Sequence, residues 1–288
     1  MWLLRHSIAG GRYLQAKRIP ERASSQSITL LRTTAHNCVV AYLDILGYVK
    51  SVDNAISEHR GDAFLGDLRK AFNRALEELK RFSGDRQAKL QVKGFSDNIV
   101  LAIAIRGDAE DELLRMMKIV AGFQAQLSLK GFFLRGAISI GLNYIDKEIV
   151  FGEALLDAYR AESKDAVNPR VILAESAVSN LAQHYLRYAE GESPQGKVLQ
   201  TDVDGKYFVD YLASLADPVG RIAPPYADMD LHKECVSGKL RLNSQDPRVW
   251  TKYVWVARYH NTCCERWTLS CKVNEALING APKLFHGG

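Results

Sequence analysis

The 288-residue sequence has no apolar run long enough to span a bilayer. Its longest, CVVAYLDIL at 38–46 and IVLAIAI at 99–105, are strand-sized, so no membrane span is expected. Cysteine is scarce and odd in number: Cys38, Cys235, Cys263, Cys264 and Cys271. With no secretory h-region, that count argues against a disulfide framework and for a reducing compartment, here taken as cytoplasmic. No C-x-x-C pair is present, and adjacent cysteines cannot easily both reach one tetrahedral ion. A zinc reading of His260, Cys263, Cys264 and Cys271 therefore yields to one of buried thiols. Charge of one sign is not concentrated either. The net charge is +5 with basic residues spread along the chain, which gives no surface for a nucleic-acid template. What remains is the composition of an ordinary globular chain, 47% hydrophobic and 25% charged, long enough to bury a sizeable core.

The first 35 residues are rich in Arg and Ser, with Glu21 as their one acid. This composition mimics a transit peptide, but a flexible basic segment, or an upstream start codon, is the preferred reading. Regular patterning begins at residue 38, where CVVAYLDIL is β-branched and apolar. Residues 63–82 set Leu65, Leu68, Phe72, Leu76 and Leu79 on one helical stripe. KLQVKGFSDNIVLAIAI (89–105) reads as two strands joined through a tight Gly-Phe-Ser-Asp connection. A helix over about 109–130 starts in acids and ends in Lys130-Gly131, the order its dipole favours. A strand pair, a helix at 153–166, a strand at 170–174 and a helix at 175–188 follow. The order predicts an α+β fold with a ferredoxin-like βαββαβ core.

In such a sheet the first strand lies antiparallel beside the second strand of the central hairpin. Asp44, near the end of the first, then meets Asp97, at the turn opening the other. Singly, each Asp is more often a turn former or cap. Jointly they form a carboxylate pair that invites magnesium or manganese.

The motifs resemble a family at this point. YLDILGY (42–48), KGFSDNIVLA (93–102), FLRGAISIG (133–141) and FGEALLDAYRAES (151–163) are similar, in order and spacing, to four segments of class III nucleotide cyclases. YLDILGY followed by GFSDNIV most resembles one branch, the pyrimidine cyclases of the bacterial Pycsar anti-phage system, and DPRVWTKYVWVARYHN (246–261) resembles that branch's helical extension. The resemblance implies conversion of UTP, or alternatively CTP, to a 3′,5′-cyclic nucleotide and pyrophosphate. The product would act on a separately encoded effector. It implies that Asp44 and Asp97 hold two divalent cations, manganese or magnesium, with the Ile45 carbonyl completing one site. Gly47 and Tyr48 would meet the triphosphate through backbone N–H groups, and Arg135 through its guanidinium. Arg160 would steady transition-state charge, and Lys93 would touch the base. The family's sites are shared between subunits, so a homodimer is implied, with Lys93 and Arg160 reaching the other subunit's acids.

Two departures stand out. The family's ribose-orienting Asn falls on Leu156, with Asp157 or Tyr159 as substitutes, and its adenine-reading Asp falls near Ile149, which cannot accept a hydrogen bond. A catalytically inactive cyclase-homology module is the alternative reading, and retention of both acids weighs against it. The expected organisation is a tail at 1–35, a catalytic domain at 36–190 and a largely helical extension at 191–288. In the last of these, Val249, Tyr253, Val256 and His260, with Trp250, Val254 and Ala257, give a final helix two apolar faces.

Overall fold

The structure is a computed structural model that describes residues 34–82, 90–146, 148–189, 191–216 and 225–279. Of the expected tail at 1–35, residues 1–33 lie outside the described residues. Strand β1 (His36–Ile45) leads through α1 (Tyr48–Ser57) and α2 (Gly61–Phe82) to the hairpin β2 (Gln91–Phe95) and β3 (Asn98–Ala104). Helix α3 (Glu110–Ser128), β4 (Leu134–Ile145), β5 (Val150–Gly152), α4 (Glu153–Asp165), β6 (Val171–Leu173) and α5 (Glu175–Tyr185) follow. Beyond them come β7 (Leu199–Thr201), β8 (Tyr207–Val209), α6 (Tyr211–Ala216), α7 (Pro225–Leu242), α8 (Pro247–Arg266) and α9 (Glu275–Asn279).

The sheet order is β2-β3-β1-β4-β6-β8-β7, with β5 paired to β4. β1 is antiparallel to both β3 and β4, the pairing expected from the ferredoxin-like order. The α+β class and the helical character of the C-terminal part hold. The sheet does not stop at residue 190, however, because β8 pairs β6.

Alternation along β1 sorts its side chains onto two faces. Val39, Ala41, Leu43 and Ile45 are buried in the main core with Leu68 of α2 and Met116 and Phe123 of α3. Cys38 and Val40 point the other way and pack with Ala102 and with Ala154 of α4. Tyr42 and Asp44 continue that second face, so the site acid projects away from the main core.

The expected stripe on α2 is shifted. Leu65 is 61% exposed, whereas Phe64, Leu68, Ala71, Phe72, Ala75 and Leu76 pack inward. Phe64 and its ring contacts with Tyr48 and Phe132 take the place assigned to Leu65. The Leu79 side chain lies outside the described residues. The proline-rich APPY stretch is not wholly a loop, because α7 begins at Pro225, and the first helical turn tolerates proline. Asp246 caps α8 by accepting from the Val249 N–H, with a proline in the first turn. Both expected faces of α8 pack inward: Tyr253, Val256 and His260 on one and Val254 and Ala257 on the other are buried, with Val249 and Trp250 partly so, and Tyr253 packs edge-on against Phe133. No described helix is long and apolar enough to cross a membrane.

Gly136 sits where β4 crosses β1 most tightly. A Cβ there would lie 2.4 Å from the Tyr42 carbonyl oxygen and 2.8 Å from Leu43 Cδ2. Backbone cannot yield as a side chain end can, so Gly136→Ala is expected to cost at least the ~1–3 kcal/mol typical of overpacking. A lower chemical-denaturation midpoint checks this, and a midpoint equal to wild type refutes it.

Candidate functional site

The end of β1 is where the chemistry collects. Asp44 is the register partner of Asn98 on one side and of Arg135 on the other. The Ile45 N–H donates to the Asp97 carbonyl oxygen at 3.1 Å, which pins the β2–β3 turn against the strand end. That turn holds Ser96 at φ 58°, a left-handed conformation that needs a firm reason in a non-glycine residue. Asn98 Nδ2 donates to Asp97 Oδ1 at 3.1 Å. The sequence-predicted pairing of Asp44 with Asp97 is thus built by register.

Arg135 Nε donates to Asp44 Oδ2 at 2.8 Å. The same nitrogen lies 2.8 Å from Glu162 Oε1. Nε carries one hydrogen, and it points at Asp44, so Glu162 Oε1 is left without a hydrogen-bond partner although buried. Glu162 is 3% exposed and lies on the α4 stripe of Ala154, Ala158 and Ala166, all fully buried. Sequence reasoning missed it. Its signal was a carboxylate at helical spacing within a row of small residues that press on the sheet.

Burial raises the Asp44 carboxyl above the usual aspartate range, Arg135 opposes that rise, and Asp97 adds to it. Glu162 is raised by burial too, against the pull of Arg135 and Ser163. Tyr42, beside Asp44 on the same face, is pushed up to about 12 by burial and by Glu162 and Asp44. Lys252 of α8 is lowered by burial and by Arg135, while Asp44 and Glu162 hold its proton on. This second missed residue brings the C-terminal part into the electrostatics of the site.

Gly47 follows directly, at φ 69°, as the residue that opens α1, and no side chain caps that helix. Its first N–H groups, beginning at Tyr48, therefore face solvent beside the acids, an arrangement that suits anionic oxygens. Lys93 lies on edge strand β2, with Nζ 3.5 Å from the Asp146 carbonyl oxygen. Ile149 belongs to the same turn, its N–H donating to Asp146 Oδ1 at 2.7 Å. Lys93 and Ile149 thus share one end of the sheet.

Arg160 is not brought to the acids within the chain. It is exposed and lines a cleft of 470 Å³ on another side of α4, with Lys164, Lys206 and Asp157. That cleft contains none of Asp44, Asp97 and Arg135. Of the two substitutes for the ribose-orienting Asn, Asp157 accepts from Ser176 Oγ at 2.6 Å. Tyr159 instead packs edge-on against Tyr42, 5.5 Å between centroids, next to the acids.

Asp44 and Asp97 fit hard divalent cations. Their oxygens crowd at a half-buried position where Arg135 is divided between Asp44 and a third carboxylate, leaving negative charge in excess.

No family model matches the chain, and no curated protein matches it. Among solved structures it is similar to a class III adenylyl cyclase-like ATP-binding protein from Pseudomonas aeruginosa, at 15% identity and a TM-score of 0.38. That likeness covers 51% of this chain and 35% of the other, so the chain spans about a third of that protein's length. It is also similar to the guanylyl cyclase Cya2, at 14% identity and a TM-score of 0.37, over 51% of this chain and 78% of that one.

The raised Asp44 carboxyl holds its proton to higher pH in the folded chain than in the unfolded one. Stability therefore falls as pH rises from the ordinary aspartate value through the raised one, and above that window the full cost remains. Asp44→Asn removes the cost, and Arg135 can turn its Nε hydrogen to Glu162. In metal-free buffer at neutral pH the variant is expected to melt no lower than wild type. Magnesium is expected to raise the melting temperature of wild type and not that of the variant. A midpoint several degrees lower would make the ion pair chiefly structural.

Proposed function

We propose that this chain is a nucleotide cyclase, converting UTP to 3′,5′-cyclic UMP and pyrophosphate, for second-messenger synthesis in anti-phage defence. The observation that carries the reading is the convergence of Asp44, Asp97 and Arg135 beside the uncapped start of α1. This is a cation-binding acid pair next to donors suited to a polyphosphate. CTP is the alternative substrate.

In the reaction the ribose 3′-oxygen attacks the α-phosphorus, its proton leaves, and the bond to the β-phosphate oxygen breaks to release pyrophosphate. Asp44 and Asp97, with the Ile45 carbonyl, would hold two magnesium or manganese ions. When bound, these supply charge neutralisation and a more acidic 3′-hydroxyl. The N–H groups from Gly47 and Tyr48 onward orient the β- and γ-phosphates. Arg135, whose guanidinium lies between Asp44 and Glu162, would bind phosphate oxygens through its fork, with Glu162 holding its position. Lys93, beside the turn that carries Ile149, reaches the base. An apolar side chain at the amine-reading position supports a pyrimidine over adenine.

Arg160 faces a different cleft from the acids of its own chain, which supports its acting on the acids of a second copy in a homodimer. Exposed apolar side chains support the same arrangement: Phe95 at 81%, Phe151 at 71% and Tyr159 at 49% lie on β2, β5 and α4. Leu156 at the ribose position favours the alternative of an inactive nucleotide-binding module, which the first assay below separates.

Purified protein incubated with manganese and each of the four nucleoside triphosphates is expected to give cyclic UMP as the main product by chromatography. Cyclic AMP or GMP as the main product would refute the pyrimidine choice, and no cyclic product from any triphosphate would support the inactive module. Asp44→Ala and Arg160→Ala are each expected to be inactive alone, with up to about half of wild-type activity per heterodimer returning on mixing. If tagged subunits exchange and no activity returns, both residues act within one chain.

A further inference from the structure

A second group of ligand-forming side chains, distinct from the acids, lies between α7, α8 and the segment after α8. His232 on α7 and His260 on α8 are both fully buried. Their rings are nearly parallel, at 8° with centroids 5.1 Å apart, and meet edge to edge with Nδ1 of one 3.0 Å from Nδ1 of the other. The Tyr211 hydroxyl lies 3.0 Å from His232 Nε2. On the other side of His260, Nε2 is 3.4 Å from Cys264 Sγ, and Cys264 Sγ is 3.6 Å from Cys271 Sγ. The donor atoms of His260, Cys264 and Cys271 all lie within 4.8 Å of one another, and all three residues are buried.

These spacings are those of a metal's coordination shell. Zinc bonds of about 2.3 Å to sulfur and 2.0–2.1 Å to nitrogen, at tetrahedral angles, place sulfur about 3.8 Å from sulfur and about 3.6 Å from nitrogen. The observed edges come within a few tenths of an ångström of both. His260 and Cys264 are four apart on α8 and so share a face, and it is Cys264 that brings its sulfur to His260, whereas Cys263 lies toward Tyr211 and Asp210. The chain then folds back sharply to deliver Cys271. Thr268, a β-branched residue, takes φ 54°, and the Leu269 N–H donates to the Cys264 carbonyl at 2.7 Å.

We propose that His260 Nε2, Cys264 Sγ and Cys271 Sγ form a structural zinc site that ties the end of α8 to the segment leading into α9. The Cys271 carbonyl oxygen, 2.8 Å from Nε2, is the oxygen donor available to complete the set. Binding releases the two thiol protons to solvent and involves no change of oxidation state. Two thiolates balance the dication, so a fully buried site carries no net charge. His260 must present a lone pair at Nε2, which places its hydrogen on Nδ1. His232 Nδ1 accepts that hydrogen, and His232 Nε2 then donates to Tyr211. His232 thus serves as the outer partner that metal-ligating histidines require. Two thiolates and an imidazole select zinc over magnesium or calcium. Of the two adjacent cysteines only one is needed, which removes the objection that both cannot reach a single ion.

The full-length protein, stripped with chelator under a phosphine reductant, is titrated with zinc chloride, desalted and assayed for metal by mass spectrometry. One zinc per chain is expected for wild type and for Cys263→Ser, and none above background for Cys264→Ser and Cys271→Ser. Cobalt(II) in place of zinc is expected to give thiolate charge-transfer absorption, which the carboxylates around Asp44 cannot produce. That spectrum, taken on wild type, decides the matter even if a variant fails to fold. Wild-type protein without that absorption, or folded Cys264→Ser retaining a full equivalent of zinc, would overturn the site. Loss of zinc in Cys263→Ser with retention in Cys271→Ser would assign different ligands and overturn it equally.

Discussion

Carboxylate crowding at the end of β1 is the constraint on which the rest of the site depends. Asp44, Asp97 and Glu162 converge from a strand, a turn and a helix, and Arg135 is divided between two of them. Carboxylates this close are stable together only with counter-charge. The protein supplies part of it, and not enough to give Glu162 Oε1 a hydrogen. Cations at Asp44 and Asp97 would complete the balance and release the guanidinium for an anionic ligand. Cation binding there would be coupled to folding through the same group of atoms.

The pair Asp44 and Asp97 was legible in the sequence because strand order alone brings them together. Once the central hairpin is read from GFSD, antiparallel pairing of β1 with β3 leaves little freedom in where Asp97 lies. Glu162 was not legible in the same way. Its helix was correctly placed, but a glutamate on a helix of mixed composition reads as solvent-facing unless one sees that its neighbours at four-residue spacing are alanines packed flat on the sheet. Leu65 failed for the converse reason: a leucine and a phenylalanine stand side by side at 64–65, and only tertiary packing chooses Phe64.

The C-terminal part was the least legible, since its contacts are long-range. α8 was recognisable from its apolar spacing, but not what it touches. It packs Tyr253 on Phe133, directs Lys252 into the electrostatics of the acids, and holds the β7–β8 turn through Trp255 Nε1 to Asp202 at 2.8 Å. The strands β7 and β8 extend the central sheet itself.

Phosphorus-31 magnetic resonance of UTP turnover in magnesium tests the central claim most directly, because it follows all three phosphorus atoms at once. The account predicts that the triphosphate signals give way to a cyclic phosphodiester and pyrophosphate in equal amounts, in wild type and not in Asp97→Asn. Conversion to UDP and inorganic phosphate, or equal turnover in Asp97→Asn, would contradict it.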